Sequence, residues 1–130
     1  MSDTIQVGMT GEKSEAVTEE KTALHLGSGG LLVYATPAMV ALMEYAAVDA
    51  IDSQLPEGHA SVGVELTIKH IAATPVGDTV RAEAEVTEVD GRRVTFKVAA
   101  YDSQEVIGEG THVRFVIVVA RFQQRLDKKR

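Results

Sequence analysis

The sequence predicts an α+β fold, one long helix early in the chain followed by a curved antiparallel sheet of four or five strands. Three observations lead there. Tyr34 to Gln54 is the one long run whose composition and apolar spacing suit a helix. From Ser61 to Phe122 apolar and polar residues mostly alternate at period two, the spacing of strands with one buried face. Gly, Pro and Asp cluster between those runs, where turns belong.

Residues 1–12 are polar, with Ile5, Val7 and Met9 spaced for a short edge strand or an N-terminal extension. Ser14–Leu26 reads as a strand whose acids Glu15, Glu19 and Glu20 face solvent. Gly27-Ser28-Gly29-Gly30 then breaks the chain. It matches no phosphate-binding loop, since no Gly-Lys-Ser/Thr follows and no GxGxxG is present.

The helix opens on Thr36-Pro37. Thr suits the N-cap, and Pro suits the first helical position because its missing N–H needs no partner there. Spacing of three and four puts Pro37, Val40, Ala41, Glu44, Ala47, Val48 and Ile51 on one stripe, with Tyr45, Asp49 and Asp52 beside it facing water. Glu44 is the only charge on that stripe. A carboxylate there is costly unless paired or protonated; the plainer alternative is a rotated helix with Glu44 at the rim.

Leu55–His59 is a turn. In the next strand, Ser61–Ala73, the even positions Val62, Val64, Leu66, Ile68, His70 and Ala72 form the buried set. His70 is its only polar member. A lone His there is ordinarily a core residue bonded to backbone, but Glu44 and His70 occupy surfaces that pack together, and a hydrogen-bonded Glu–His pair is the sharper expectation.

Thr74–Gly77 turns the chain. Thr79–Thr87 points Val80, Ala82, Ala84 and Val86 inward, Asp90-Gly91 signals a hairpin, and Val94, Phe96, Val98 and Ala100 return. Asp102–Gln104 turns again into a last strand, Val106–Phe122, where Gly108 and Gly110 suggest a bulge. Phe115–Ala120 is apolar throughout, as if covered on both faces. One domain spans 1–130, with 123–130 as a basic tail. Exposed sheet edges favour a homodimer joined edge to edge, or a tetramer built from it.

Composition narrows the function. The chain is 45% hydrophobic and 25% charged, like an ordinary soluble globular protein. No run approaches the ~18 apolar residues of a membrane span and no export signal is visible, so no membrane partner and a cytoplasmic location are expected. The absence of Cys excludes disulfides, thiolate metal sites and a Cys nucleophile. His25, His59 and His112 show no ligand spacing, so neither metal nor cofactor is expected. A net charge of −6 with no basic stripe argues against nucleic acid. The one basic cluster is Arg121, Arg125, Lys128, Lys129 and Arg130, a solvated tail or a contact for a nucleotide phosphate.

Three segments go further: VYATPAMVALMEYAAVDAI, VGVELTIKHIAATPVGDTV and GEGTHVRFVI. Together they resemble the fluoroacetyl-CoA thioesterase family of hotdog proteins over residues 31–125. The resemblance implies a catalytic set of Thr36, Glu44 and His70, a glycine beside the acyl group at Gly63, and a family arginine at Arg114, either structural or in contact with a CoA phosphate. It implies an acyl-CoA substrate, with CoA or an acyl carrier protein as the thiol carrier. One departure stands out. Family members selective for the fluorinated substrate have a longer, phenylalanine-rich loop before the helix, whereas Gly27–Leu32 is short and has no aromatic residue.

On that implied set, thioester hydrolysis would use His70 as proton acceptor, Glu44 to orient the imidazole, and Thr36 as nucleophile or as the group positioning a water. The first helical amides, Ala38 and Met39, would meet the oxyanion. A non-catalytic acyl-CoA-binding module is the main alternative. A hydratase is the weaker one, resting on a faint acid–His echo in Asp52–His59.

Overall fold

Period-two alternation makes the sheet, and the sheet's curl leaves room for one helix. In the computed structural model, which describes residues 4–130, the strands are Thr10–Ala16 (β1), His59–His70 (β2), Thr79–Asp90 (β3), Arg93–Tyr101 (β4) and Val106–Val118 (β5). The helices are Ala23–Leu26 (α1), Thr36–Ile51 (α2) and Val119–Asp127 (α3). All five strands pair antiparallel in the order β1-β3-β4-β5-β2, so β1 and β2 are the edges.

The hairpin signal at Asp90-Gly91 is realised. Gly91 has φ +61° and joins β3 to β4 through a two-residue turn. Positive φ at the first central residue alone is the pattern of a type II′ turn, which needs Gly there. The inward sets of β3 and β4 are buried as the alternation predicts: Val80, Ala82, Ala84 and Val86, then Val94, Phe96, Val98 and Ala100. They pack on Met39, Leu42, Met43, Ala46, Ala47, Ala50 and Ile51 of α2. Each buried Val, Leu, Ile, Met or Phe contributes about 1.5–3 kcal/mol.

Four expectations are corrected. The buried face of α2 is not the stripe through Pro37, Val40 and Val48; it is centred on Leu42, Met43, Ala46 and Ala50, and Glu44 is half-buried at its rim. A helix apolar almost all round gives its periodicity little direction, so the rotation came from packing. The N-terminal strand is Thr10–Ala16 rather than Ser14–Leu26, and the latter's second half forms a 3₁₀ turn at Glu19–Lys21 followed by α1. Of the 1–12 segment, residues 1–3 lie outside the described residues. The last strand stops at Val118, and the expected tail is largely α3. Finally, Phe115 is 39% and Val119 46% exposed, so the apolar run ending β5 is covered on one side only within this chain.

The bulge that matters most was not foreseen. Gly63 pairs with Arg114 and Glu65 with Val113, so Val64 is an extra residue in β2. The insertion reverses the pleat. Ser61 and Gly63 therefore share the helix-facing side with Leu66, Ile68 and His70, while Val62 lies opposite Phe115 on the other side. A second irregularity at Ile107 on β5 adjoins Gly108, where the sequence suggested one.

Candidate active site

Two polar clusters form at opposite ends of β2, and the five family-implied residues divide between them. The first lies at the start of α2. Tyr34 N–H donates to the Thr74 carbonyl at 2.8 Å and Ala35 N–H to the Lys21 carbonyl at 2.9 Å. Buried Tyr34 also donates through its hydroxyl to Glu15 at 2.6 Å. Burial, reinforced by Glu15, pushes that phenol far above its ordinary range. These bonds fix the approach to the helix, and with it Thr36.

The N-cap is Ala35, with no side-chain cap, and Thr36 is the first helical residue. The expected cap is therefore corrected, for a clear reason: the Thr36 hydroxyl is committed elsewhere, 2.7 Å from Nδ1 of His70 at the end of β2. Burial holds the His70 imidazole below its ordinary pKa, against a smaller upward pull from the Ala72 backbone. A neutral ring accepts the Thr36 hydroxyl at Nδ1 and carries its proton on Nε2. That Nε2 is buried and has no hydrogen-bond partner among the described residues. Thr36, His70, Ile71, Ala72 and Ala73, with Ala23, Ser28, Val33 and Tyr34, line a cleft of about 290 Å³. The Met39 amide, one of the two expected oxyanion donors, already donates to the Ala35 carbonyl at 3.0 Å, which leaves Ala38.

The second cluster surrounds Gly63. Arg114, 6% exposed, donates through Nε to Ser61 Oγ (2.8 Å), through Nη2 to the Ser61 carbonyl (3.0 Å) and through Nη1 to His112 Nε2 (3.1 Å). Its Nη1 also lies 3.5 Å from Glu44 Oε2. The Ser61 hydroxyl in turn donates to Asp52 Oδ1 at 2.6 Å. His112, fully buried and stacked near Phe96, bonds through Nδ1 to the Glu65 carbonyl at 2.9 Å. With Nε2 receiving from Arg114, His112 must be neutral and protonated at Nδ1. Burial holds its pKa low; the Glu65 carbonyl pulls it up and Arg114 pushes it down.

Gly63 is where a side chain would not fit. A Cβ there would lie 2.5 Å from Glu44 Oε2, 3.1 Å from His112 Cε1 and 3.3 Å from Arg114 Nη1. Gly63 leaves room for the carboxylate to sit over the strand.

Glu44 does not meet His70 within this chain: its partner is Arg114. Gly63, beside Glu44, and His70 are seven residues apart on β2, about 23 Å at ~3.3 Å per residue. Arg114 is likewise not available to a CoA phosphate, because burial and its bonds to Ser61, His112 and Glu44 engage it inside. Sequence reasoning missed Ser61, Asp52 and His112. The only signal for them was Gly63 itself, a residue without a side chain inside a strand.

A family model described as fluoroacetyl-CoA-specific thioesterase matches residues 17–120. The chain belongs to that family. It is 38% identical over 135 residues to the fluoroacetyl-CoA thioesterase of Streptantibioticus cattleyicolor, covering 99% of this chain and 97% of the relative. Among solved structures, a single-site variant of the thioesterase FlK in complex with acetyl-CoA superposes with a TM-score of 0.90 at 37% identity, over 96% of this chain and 98% of that one. A thioesterase superfamily member of Thermus thermophilus superposes at 0.87 with 30% identity, over 96% and 95%. The hotdog fold expected from the family's motifs is the fold observed. Among the described residues no helix is long and apolar enough to cross a membrane, and no group of His, Asp or Glu side chains is arranged to hold a metal ion.

Proposed function

We propose that the chain hydrolyses a small acyl-CoA to free acid and CoA, with Thr36 as nucleophile, His70 as base and Glu44 of the partner subunit as the carboxylate behind the imidazole. The reaction class follows from the family, which is one of thioester hydrolases. The small acyl group is suggested by the modest cleft and by the acetyl-CoA held by the FlK variant. Selectivity for fluoroacetyl is not part of the proposal, since the Gly27–Leu32 loop has no aromatic residue and contributes only Ser28 to the cleft.

The observation that carries the reading is the 2.7 Å contact between Thr36 Oγ1 and His70 Nδ1. As Thr36 Oγ1 attacks the thioester carbonyl, its proton passes to Nδ1 and the Ala38 amide meets the oxyanion. The C–S bond breaks, and the departing thiolate takes the proton from the imidazolium. Water then attacks the threonyl ester with His70 again as base, releasing the acid and restoring the hydroxyl.

An imidazole doing this work needs an acceptor on its other nitrogen, and among the described residues Nε2 has none at hydrogen-bond geometry, the Ala72 backbone exerting only a weaker pull on the ring. Strand β2 is a free edge with Val64 53% and Leu66 38% exposed. Such an edge invites pairing with a second copy. Antiparallel pairing of two β2 strands about a two-fold axis between Leu66 and Thr67 sets Gly63 against His70 of the partner subunit. Glu44, held over Gly63 by Arg114, would then accept from that Nε2–H. Each dimer has two such sites by symmetry.

The test is free-thiol release from acetyl-, fluoroacetyl-, medium-chain and aromatic acyl-CoAs, a readout the Cys-free protein does not disturb. Wild type should release CoA from a small member, and His70→Ala should lower the rate about 10³-fold. An unchanged rate in that variant would remove His70 from the mechanism. A pre-steady-state burst of CoA, lost in Thr36→Ala, would mark Thr36 as nucleophile; no burst together with undiminished turnover in that variant would exclude it.

A further inference from the structure

The described chain segregates its charge. Residues 121–130 hold five cations, Arg121, Arg125, Lys128, Lys129 and Arg130, against the single acid Asp127. Subtracting that +4 from the chain's net −6 leaves −10 on everything else. The net charge of that remainder opposes an anionic ligand, and residues 121–130 are the densest run of cations in the chain.

The segment is not a loose tail. Most of it is α3, which continues directly from β5 and is tied at its start by Val119 N–H donating to the Gly58 carbonyl at 2.9 Å. Val119, Phe122 and Leu126 recur on one side of the helix, while Arg121, Arg125 and Lys128 share another at spacings of four and three. Asp127 is occupied within the helix, accepting from Gln123 at 3.0 Å and lying 3.7 Å from Arg130. Arg121, Arg125, Lys128 and Lys129 make no ion pair or side-chain hydrogen bond among the described residues. They are exposed and form a regular row on a helix that nothing in the catalytic set uses.

Position supplies the second argument, which rests on the two-fold site proposed above. Within one chain α3 adjoins His59, eleven residues of β2 from His70, about 36 Å at ~3.3 Å per residue. Across the paired strands the distance is much shorter. On that pairing Gly63 of the partner subunit would lie against His70, and since α3 follows the residue paired with His59, the partner's α3 would begin only four residues further, about 13 Å. From the sulfur of CoA to its first phosphorus runs a chain of about thirteen bonds, equal to a little over four residues of extended backbone, or ~15 Å. A thioester placed at Thr36 and His70 therefore carries its phosphates to the partner's basic helix.

We propose that α3 is the phosphate-binding element of the thioesterase. The row Arg121, Arg125 and Lys128, with Lys129, receives the phosphates of the CoA nucleotide, and each site takes its helix from the subunit that supplies Glu44. Exposed cations of this kind act as a charged funnel, so their effect is on capture of the substrate rather than on the chemical step.

The test compares acetyl-CoA with acetyl-pantetheine, which has the same thioester and arm but no nucleotide phosphates. In R121Q/R125Q/K128Q/K129Q, KM for acetyl-CoA should rise about tenfold at low ionic strength, with kcat and the parameters for acetyl-pantetheine unmoved. The charge-retaining R121K/R125K should keep most of the wild-type KM. Added salt should raise the wild-type KM for acetyl-CoA and leave the neutralised variant's flat. Equal acetyl-CoA KM in wild type and the neutralised variant would overturn the proposal. So would a neutralised variant impaired on an acetylated acyl carrier protein but not on acetyl-CoA, which would make α3 a dock for that protein. Calorimetric titration with CoA and with pantetheine reads the same contrast without turnover. It therefore tests α3 even if the wild type hydrolyses neither thioester, an outcome that would instead defeat the reading of the site.

Discussion

The two ends of β2 make opposite bargains with their polar groups. At the Gly63 end nearly everything is satisfied: Asp52, Ser61, Arg114, His112 and Glu44 form one connected set, with each His112 nitrogen assigned by its partner. At the His70 end a single short bond joins Thr36 to the imidazole, and the other ring nitrogen is orphaned. Buried polar atoms without partners are uncommon in folded proteins and call for an explanation. At the saturated end the carboxylate stands beside a neutral imidazole, His112, already bonded at both nitrogens, and at the unsaturated end the His70 imidazole has no carboxylate within hydrogen-bond reach among the described residues. On the proposed two-fold site, each chain would carry half of two sites, and the difference between the ends is what such a split would look like in one copy.

The sharpest way to break this comparison is subunit mixing. His70→Ala and Glu44→Gln should each be nearly inactive alone. When the two are mixed and allowed to exchange, half the dimers are mixed and each has one intact site, so about a quarter of the wild-type rate should return. No recovery despite demonstrated exchange would put both residues in one subunit's site or remove one of them from it. A smaller effect is expected from Gly63→Ala. Its Cβ would stand 2.5 Å from Glu44 Oε2. Displacing the carboxylate by about 1 Å should cost about 10²-fold in kcat, with far less change in KM. If Gly63→Ala kept full kcat, the room over Gly63 would be incidental.

The mildest prediction is in pH. Burial lowers the pKa of both His70 and His112 from 6.5. His70 thus remains an unprotonated base at pH 6.5, and the acid limb of kcat/KM should fall below that value. Stability follows the same sign: as pH drops through 6.5 the unfolded chain takes up protons that the folded chain refuses, so stability declines on the acid side. Denaturant midpoints measured from pH 7.5 down to 5 would check this. A midpoint that rises on acidification would contradict the neutral assignment of both rings.

Much of this was legible in the residues. Alternation in Thr79–Ala100, the Asp90-Gly91 turn and the Thr36-Pro37 helix start follow from local sterics, which any sequence window contains. Glu44 and His70 stood out because a titratable group on an apolar face is energetically conspicuous before any fold is known. Their supports did not stand out. Ser61 and Asp52 are unremarkable as letters, and they meet Arg114 only because one extra residue at Val64 turns the pleat of β2.

By itself, then, the sequence determined the long helix and the strands β2 to β5, the inward faces of β3 and β4, and the two groups that do not belong in a core. Those follow from interactions between neighbours in the chain. The tertiary structure decided which face α2 buries, that the Thr36 hydroxyl goes to His70 rather than to a helix cap, and that Glu44 answers to Arg114. Each of these depends on groups 34 to 70 residues apart. The reason is physical: an apolar helix fits the sheet at several rotations, and only the volumes and hydrogen-bond donors it meets there select one.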